Sequence, residues 1–231
     1  MSIETTLFAV KAGPSNVKEL NDWMFKNATD YFDEFACDIS NTDSPICSFR
    51  KGDAAISFMT NSTGTGNVSF FKIILKNGMT KNHKTYSITN PVFVSRAMKT
   101  NSGIILSVSQ LSNPTSYMDR LYISKTNKGN TGIILYDVIG SSSSGYYSYS
   151  LNDSTITSNN FAPSTSDLNS HSTITSFANV PCYNGSTEYF QNVFLSPFYT
   201  SLSGIVADEN GTKYVYGSPN ASSLAGFWVK D

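Results

Sequence analysis

Charge is scarce in this 231-residue chain, since only 14% of its residues are charged and the formal net charge is -1. A nucleic-acid-binding protein needs a basic face to neutralise phosphates. We therefore predict that the chain binds no nucleic acid.

Long apolar runs are missing as well, because no stretch approaches the ~18 consecutive apolar residues of a membrane span. The sequence thus predicts no membrane segment, and its start lacks the features of a signal peptide.

Residue types that dominate catalytic and metal sites are also few, with two histidines and three cysteines in the whole chain. They do not follow the spacing of a zinc site, and there is no Gly-x-Ser-x-Gly motif. We predict no catalytic, cofactor-binding or metal-binding residue. Paired carboxylates meet in space rather than in sequence, so a cell-wall or capsule hydrolase is kept as the enzymatic alternative.

Small polar residues take the place of charge, because Ser, Thr and Asn together make up about a third of the chain, well above ordinary usage. The hydrophobic fraction of 39%, which includes 13 Tyr and 15 Phe, is enough for a core. This composition indicates a β-rich domain whose surface is solvated by hydroxyls and amides.

Two similar hairpins occupy residues 92–138 and organise the rest of the chain. Each consists of an apolar strand, a Lys-Thr-Asn turn with glycine, and a second apolar strand. Glycine adopts the positive φ of such turns at little steric cost, and the flanking β-branched residues favour a pleated surface. In the strand 104–109, apolar residues alternate with Ser107 and Ser109, which predicts one buried and one solvated face.

A single amphipathic helix is predicted at about 16–34, with Asn16 as the N-cap residue and Glu19 completing a capping box. One apolar helical face is predicted from the 3–4 residue spacing of Val17, Leu20, Met24, Ala28, Tyr31 and Phe35. We expect this face to lie on a β-sheet. Residues 1–14 are predicted to form an extended N-terminal arm.

Strand patterns and Asn-Gly turns dominate the remaining sequence, including turns at 77–78 and 210–211. We predict a mainly β fold, an antiparallel β-sandwich-like domain with one N-terminal helix, in which residues 15–231 form a single domain. Residues 140–186 are low in apolar residues and are expected to form a long, polar, Tyr- and Ser-rich protrusion.

Two surfaces are candidates for contacts with other molecules. The arm is too short to bury its own apolar side chains, so we expect it to contact a partner through Ile3, Leu7, Phe8 and Val10. The second surface is a candidate ligand surface on the protrusion, where tyrosines supply rigid contact area among adaptable polar residues. Packing of these tyrosines onto the sheet is the alternative. They are Tyr146, Tyr147, Tyr149 and Tyr183.

Three stretches carry a resemblance to a known group of proteins: the helix region 19–33 with its string Asn-Ala-Thr-Asp-Tyr-Phe-Asp, the hairpin 123–131 with Thr-Asn-Lys-Gly-Asn-Thr, and the end of the chain from 211 onwards. In these stretches the chain resembles virion structural proteins of tailed bacteriophages and prophages of Gram-positive, often gut-dwelling, bacteria. Residues 140–186 depart from that pattern.

This resemblance implies a non-catalytic protein on the virion surface, made in the cytoplasm of the host bacterium. Tail, baseplate or fibre attachment is the first expectation for its place, and capsid decoration is the second. The expected partners are other virion proteins and further copies of the chain, with a trimer favoured. The alternative from a different class is a receptor-recognition protein that binds a host cell-surface glycan through the 140–190 region.

Overall fold

The computed structural model describes residues 4–60, 67–78, 80–87, 91–137, 145–152, 178–182, 187–196, 205–207, 213–216 and 226–230. Within these ranges the chain forms one helix and three antiparallel sheets. The prediction of a mainly β, antiparallel, sandwich-like fold with one N-terminal helix is therefore confirmed.

The helix is α1 (Pro14–Asn27). In chain order the strands are β1 (Glu4–Leu7), β2 (Glu34–Asp38), β3 (Ile46–Lys51), β4 (Ala54–Met59), β5 (Asn67–Ile74), β6 (Thr80–Ser87), β7 (Val92–Lys99), β8 (Gly103–Gln110), β9 (Asn113–Lys125), β10 (Thr131–Asp137), β11 (Gly145–Ser150), β12 (Ala178–Pro181), β13 (Tyr189–Ser196), β14 (Ile205–Ala207), β15 (Lys213–Tyr216) and β16 (Gly226–Lys230).

The first sheet contains the predicted double hairpin and has the strand order β1-β7-β8-β9-β10-β11. Strands β7 to β10 pair consecutively, so the two similar turns connect β7 to β8 and β9 to β10. The second sheet is a meander of β2 to β6. The third sheet has the order β12-β13-β16-β15-β14, and its β14–β15 pair is the predicted hairpin around residues 210–211.

The helix is shorter than predicted, because it ends at Asn27 rather than near residue 34. The Asn27 side-chain amide donates to the carbonyl of Trp23 at 2.9 Å in the last turn. Beyond it, Asp30 and Asp33 carry negative charge that the carboxyl end of a helix disfavours. The chain leaves the helix there and turns into the strand β2, which begins at Glu34.

The predicted N-cap is also wrong, since α1 begins at Pro14 after Gly13, whose φ is 84°. Proline suits the first helical position because the amide it lacks has no partner there. Asn16 instead lies buried and contacts the strand β7, donating to the Val94 carbonyl and accepting from the Val94 amide, both at 2.9 Å. This amide fixes the helix beside the β-bulge of β7, which lies between Val94 and Arg96.

Of the predicted helical face, Tyr31 and Phe35 lie beyond the helix and are only partly buried. The rest is confirmed as the buried face, because Val17, Leu20, Met24 and the C-cap residue Ala28 are completely buried. They belong to a core between α1, the second sheet and one face of the first sheet. From the second sheet this core takes Phe49, Ile56, Phe58 and Ile73. From the first sheet it takes residues such as Val94, Ile104, Leu106, Leu121, Ile123, Ile133 and Leu135.

The first sheet is central, because its opposite face is buried as well. Successive side chains of a strand point to opposite faces, and Ile105, Tyr122 and Ile134 are at most 2% exposed. The third sheet packs here, where the ring centroids of Tyr122 and Phe190 lie 6.4 Å apart. The molecule thus has three sheet layers and two cores, which share the central sheet.

The solvated face predicted for β8 is wrong, because Ser107 and Ser109 are 3% and 0% exposed. The Ser95 hydroxyl contacts a polar atom of each of them. The Ser95 and Ser109 hydroxyl oxygens lie 2.8 Å apart, and the Ser95 hydroxyl also lies 3.2 Å from the Ser107 carbonyl. A small side chain with a satisfied hydroxyl is cheap to bury, so the serines line the second core.

Glycines in the two hairpins serve two different needs. Gly129 has a φ of 79°, as the turn chemistry predicts. Gly132 is explained by close packing rather than by a positive φ. A Cβ there would lie 2.6 Å from the Phe190 ring and 2.9 Å from the Thr126 methyl carbon, so a larger residue would clash with both side chains. A Cβ on Gly103, the matching position in the first hairpin, would lie 2.7 Å from the Tyr122 ring.

Candidate functional site

The N-terminal arm lies along the edge of the central sheet, where β1 pairs with β7. Leu7 and Val10 are 69% and 60% exposed. Phe8 differs from the expectation, because it is only partly exposed and packs against the first core. The Trp23 indole also holds the arm, donating to the Thr6 hydroxyl at 3.1 Å. Ile3 lies outside the described residues.

The predicted tyrosine surface does not form as one unit. Tyr149 is 3% exposed and belongs to the first core, so it is not a surface residue. Its position on β11 opposite Ile133 directs its ring into the core. Tyr146 and Tyr147 lie on the same strand, opposite Tyr136 and Leu135. Tyr183 and most of the predicted protrusion lie outside the described residues.

A groove of about 370 Å³ opens at one end of the molecule between the tips of two sheets. The β3–β4 turn and the end of β5 form one wall, and the β9–β10 turn and the residues after β11 form the other. Most of the side chains that line it end in a polar group, and Leu151 is the one apolar side chain among them. The lining residues are Asp33, Lys51, Gly52, Asp53, Lys76, Gly129, Asn130, Thr131, Leu151 and Asn152.

Behind the second wall lies a buried carboxylate, Glu188, which is 5% exposed. Its Oε1 accepts hydrogen bonds from the Thr126 hydroxyl at 2.6 Å, the Asn130 amide at 2.9 Å and the Ser150 hydroxyl at 3.0 Å. All three donors come from the central sheet and its β9–β10 turn, whereas Glu188 precedes β13. This network therefore attaches the third sheet to the hairpin that forms the groove.

Backbone contacts reinforce the same attachment. The Asn127 amide donates to the Tyr189 carbonyl, and the Tyr189 amide donates to the Asn127 side-chain oxygen, both at 2.9 Å. Thr126 and Phe190 form an isolated antiparallel bridge. Because the turn is held on both its backbone and its side chains, the wall that it gives to the groove is rigid.

Two acidic and two basic side chains line the groove: Asp33, Asp53, Lys51 and Lys76. Lys51 Nζ lies 2.6 Å from an Asp33 carboxylate oxygen, and this hydrogen bond holds the pKa of Asp33 below its ordinary value. Lys125 lies nearby, with its ammonium 5.6 Å from the centroid of the Tyr31 ring. Burial, followed by the charge of Lys51, lowers the pKa of Lys125.

Removing the Lys51 charge is expected to raise the pKa of Asp33. In Lys51→Met the strongest hydrogen bond to this carboxylate is lost, so its titration should move towards the ordinary value. The folded-state pKa is the depressed one, so the small stabilisation is present above the unfolded pKa and is lost as the pH falls through the folded pKa.

Carboxyl carbon NMR over an acid titration measures this shift. Asp38 serves as the internal control, because hydrogen bonds from Ser40 lower its pKa and no lysine contributes. An Asp33 titration that does not change in Lys51→Met would contradict the assignment of its pKa to this ion pair.

The cysteines do not form an activated nucleophile. Cys37 and Cys47 face each other across β2 and β3 as thiols. Burial raises the pKa of Cys37 and raises that of Cys47 well above its ordinary value, which keeps both protonated near neutral pH.

Among the described residues no cluster of three or more His, Cys, Asp or Glu side chains is arranged to hold a metal ion. No helix in the same part of the chain is long and apolar enough to cross a membrane.

Sequence reasoning missed both Glu188 and the groove. The sequence of the turn 125–131 predicts its backbone conformation, but it does not predict that the side chains of Thr126 and Asn130 contact Glu188. A single acidic residue before an alternating strand gives no signal that separates a buried carboxylate from a solvated one. The groove joins residues from five segments that are distant in sequence, so no local pattern marks it.

Comparison with known proteins gives no relative: no family model, no curated protein and no solved structure matches this chain.

Proposed function

We propose that the chain is a non-catalytic structural protein of a bacteriophage virion that assembles on the particle surface. Tail, baseplate or fibre attachment is the first choice for its place and capsid decoration the second. The partners are other virion proteins and identical copies. Closed symmetry is usual for identical chains, and a trimer is favoured because the phage proteins that the chain resembles often form trimers. The resemblance of the helix, hairpin and C-terminal stretches to phage virion proteins supports this proposal.

The exposed apolar side chains of the N-terminal edge carry the assembly part of the proposal. Among the described strands β1 pairs only with β7, so its outer backbone edge is open to a further strand. Leu7 and Val10 are exposed beside that edge. Edge strands in proteins are ordinarily protected by charge, proline or a covering element. This one ends in apolar side chains, which favours occupation by a partner chain.

Replacing Leu7 and Val10 together by threonine is expected to abolish assembly without unfolding the protein. Threonine keeps the strand propensity and removes apolar contact area, and substitutions of exposed residues ordinarily change the free energy of unfolding by no more than about 0.5 kcal/mol. Sedimentation velocity should show a closed oligomer for the original chain and a monomer for the double variant. Their thermal unfolding curves should coincide.

Ile39→Thr is the matched control, since Ile39 is an exposed apolar residue on the loop after β2 and not on the arm. This variant should sediment like the original chain. A double variant that also sediments unchanged and still enters phage particles would show that the arm is not the assembly contact. The double substitution is sharper than a deletion of the arm, which would also remove Phe8 and Thr6 from their contacts with the folded domain.

A further inference from the structure

We propose that the groove between the β3–β4 turn and the β9–β10 turn binds an uncharged saccharide. Its volume of about 370 Å³ lies at the lower end of the range of roughly 300–1,000 Å³ for small-ligand sites, which suits one or two sugar rings. The inference does not depend on the assembly proposal, because it rests on a different set of residues and is tested on the isolated protein.

The orientation of Asn130 supplies the first fixed group of this site. A carboxylate only accepts hydrogen bonds, so the Asn130 nitrogen must point to Glu188, as the 2.9 Å contact shows. The amide oxygen on the other side is thereby fixed as an acceptor, and Asn130 lines the groove. The buried Glu188 thus positions a polar group for a ligand, which lowers the entropy cost of binding.

Three further side chains at the groove keep their polar groups available. Neither Asp53 nor Lys76 forms an ion pair with another side chain in the ranges that the structure describes. The Asn152 side-chain amide has no hydrogen-bond partner there either, although its backbone amide contacts Ser150. Together with Asn130 they present acceptors and donors around one space. Neighbouring hydroxyls on a sugar ring both donate and accept, and they match such a mixed set.

The charge balance favours an uncharged ligand over an ion. Two acidic and two basic side chains line the groove, and one of each, Asp33 and Lys51, already neutralise each other. The groove therefore has no net charge to attract an anion or a cation, and charges exposed to water add little binding energy. The space beside Gly52 and Gly129 is open, since a Cβ on either would meet no atom within 4 Å.

Amide NMR titration of the isotope-labelled protein tests this inference. The probes are the methyl glycosides of glucose and galactose, N-acetylglucosamine, N-acetylgalactosamine and lactose, each taken to saturation or to its solubility limit. At least one of them should shift the backbone amides of Gly52, Gly129 and Asn130. N-acetylneuraminic acid and glycine betaine serve as charged and zwitterionic comparison probes.

Two variants connect the shifts to the groove. Asp53→Ala and Asn152→Ala each remove one polar group from the lining, and each should weaken binding of the responding sugar about tenfold or more. Asp43→Ala is the matched control, because Asp43 is an exposed carboxylate on the loop at the opposite end of β3, and it should bind like the original protein. Comparison of the amide spectra without sugar shows that each variant is folded.

The inference is overturned if none of the neutral probes shifts the groove amides. It is also overturned if the shifts lie elsewhere and persist in both groove variants, or if only the charged or zwitterionic probe responds. None of these results bears on assembly through the arm, which sedimentation measures separately.

Discussion

Replacing Glu188 by alanine is expected to lower the free energy of unfolding by about 3–5 kcal/mol. The substitution leaves the buried Thr126 and Ser150 hydroxyls and the half-buried Asn130 amide without their acceptor. Each buried donor that loses its partner costs about 1–3 kcal/mol. Urea unfolding followed by tryptophan fluorescence measures the change.

Glu188→Gln separates the hydrogen bonds from the charge. Glutamine keeps one oxygen that accepts from the same three donors, so this variant should lose only about 1–2 kcal/mol, the extra strength of hydrogen bonds to an ionised group. Glu34→Ala, at an exposed glutamate that begins β2, is the control and should stay within about 0.5 kcal/mol of the original protein. If Glu188→Ala were as stable as Glu34→Ala, the network would not hold the third sheet.

Gly132→Ala is expected to lower the free energy of unfolding by about 2–3 kcal/mol. The new methyl group would lie 2.6 Å from the Phe190 ring, and both that ring and Thr126 are buried and have little room to move. The clash lies where the third sheet packs on the central sheet. Thermal or urea unfolding of the purified variant gives the value.

Two comparisons identify the ring as the cause. Gly129→Ala lies in the same hairpin but meets no atom within 4 Å, so it should cost only the backbone strain of its positive φ, about 1 kcal/mol. In a Phe190→Ala background the Gly132→Ala substitution should cost less than about 1 kcal/mol, because the ring is gone. An equal cost with and without the ring would contradict the close-approach explanation.

The hairpins were predictable because residues that are neighbours in the sequence specify them. Glycine and asparagine in the turns, together with apolar strands on both sides, defined β7 to β10 without any knowledge of the rest of the chain. The same holds for the turn at Gly78, whose φ is 80°. The buried face of the helix was predictable, but its C-terminal end was not. The 3–4 residue spacing of apolar residues extends by chance to Tyr31, which lies in a turn, and to Phe35, which lies in β2.

The third layer was not predictable, because buried serines follow the same alternation as solvated ones. Ser107 and Ser109 lie on the same face of β8 as Ile105 and are buried, and the sheet that packs on this face at Tyr122 comes from residues after 177. The candidate groove has the same origin. Its polar residues become a site through tertiary placement and through Glu188, which no short-range pattern connects to Asn130.

The edge position of β1 has a consequence for the order in which the protein folds. Strands β7 to β10 and β2 to β6 close over short turns, whereas β1 must meet β7 across more than eighty residues of chain. Local pairings form before distant ones, because loop closure costs entropy before any contact rewards it. The outer edge of β7 therefore stays open until late in folding. When copies of the chain fold close together, the β1 strand of one copy has the sequence to pair with the open β7 edge of another, so strand exchange between copies competes with closure of the monomer.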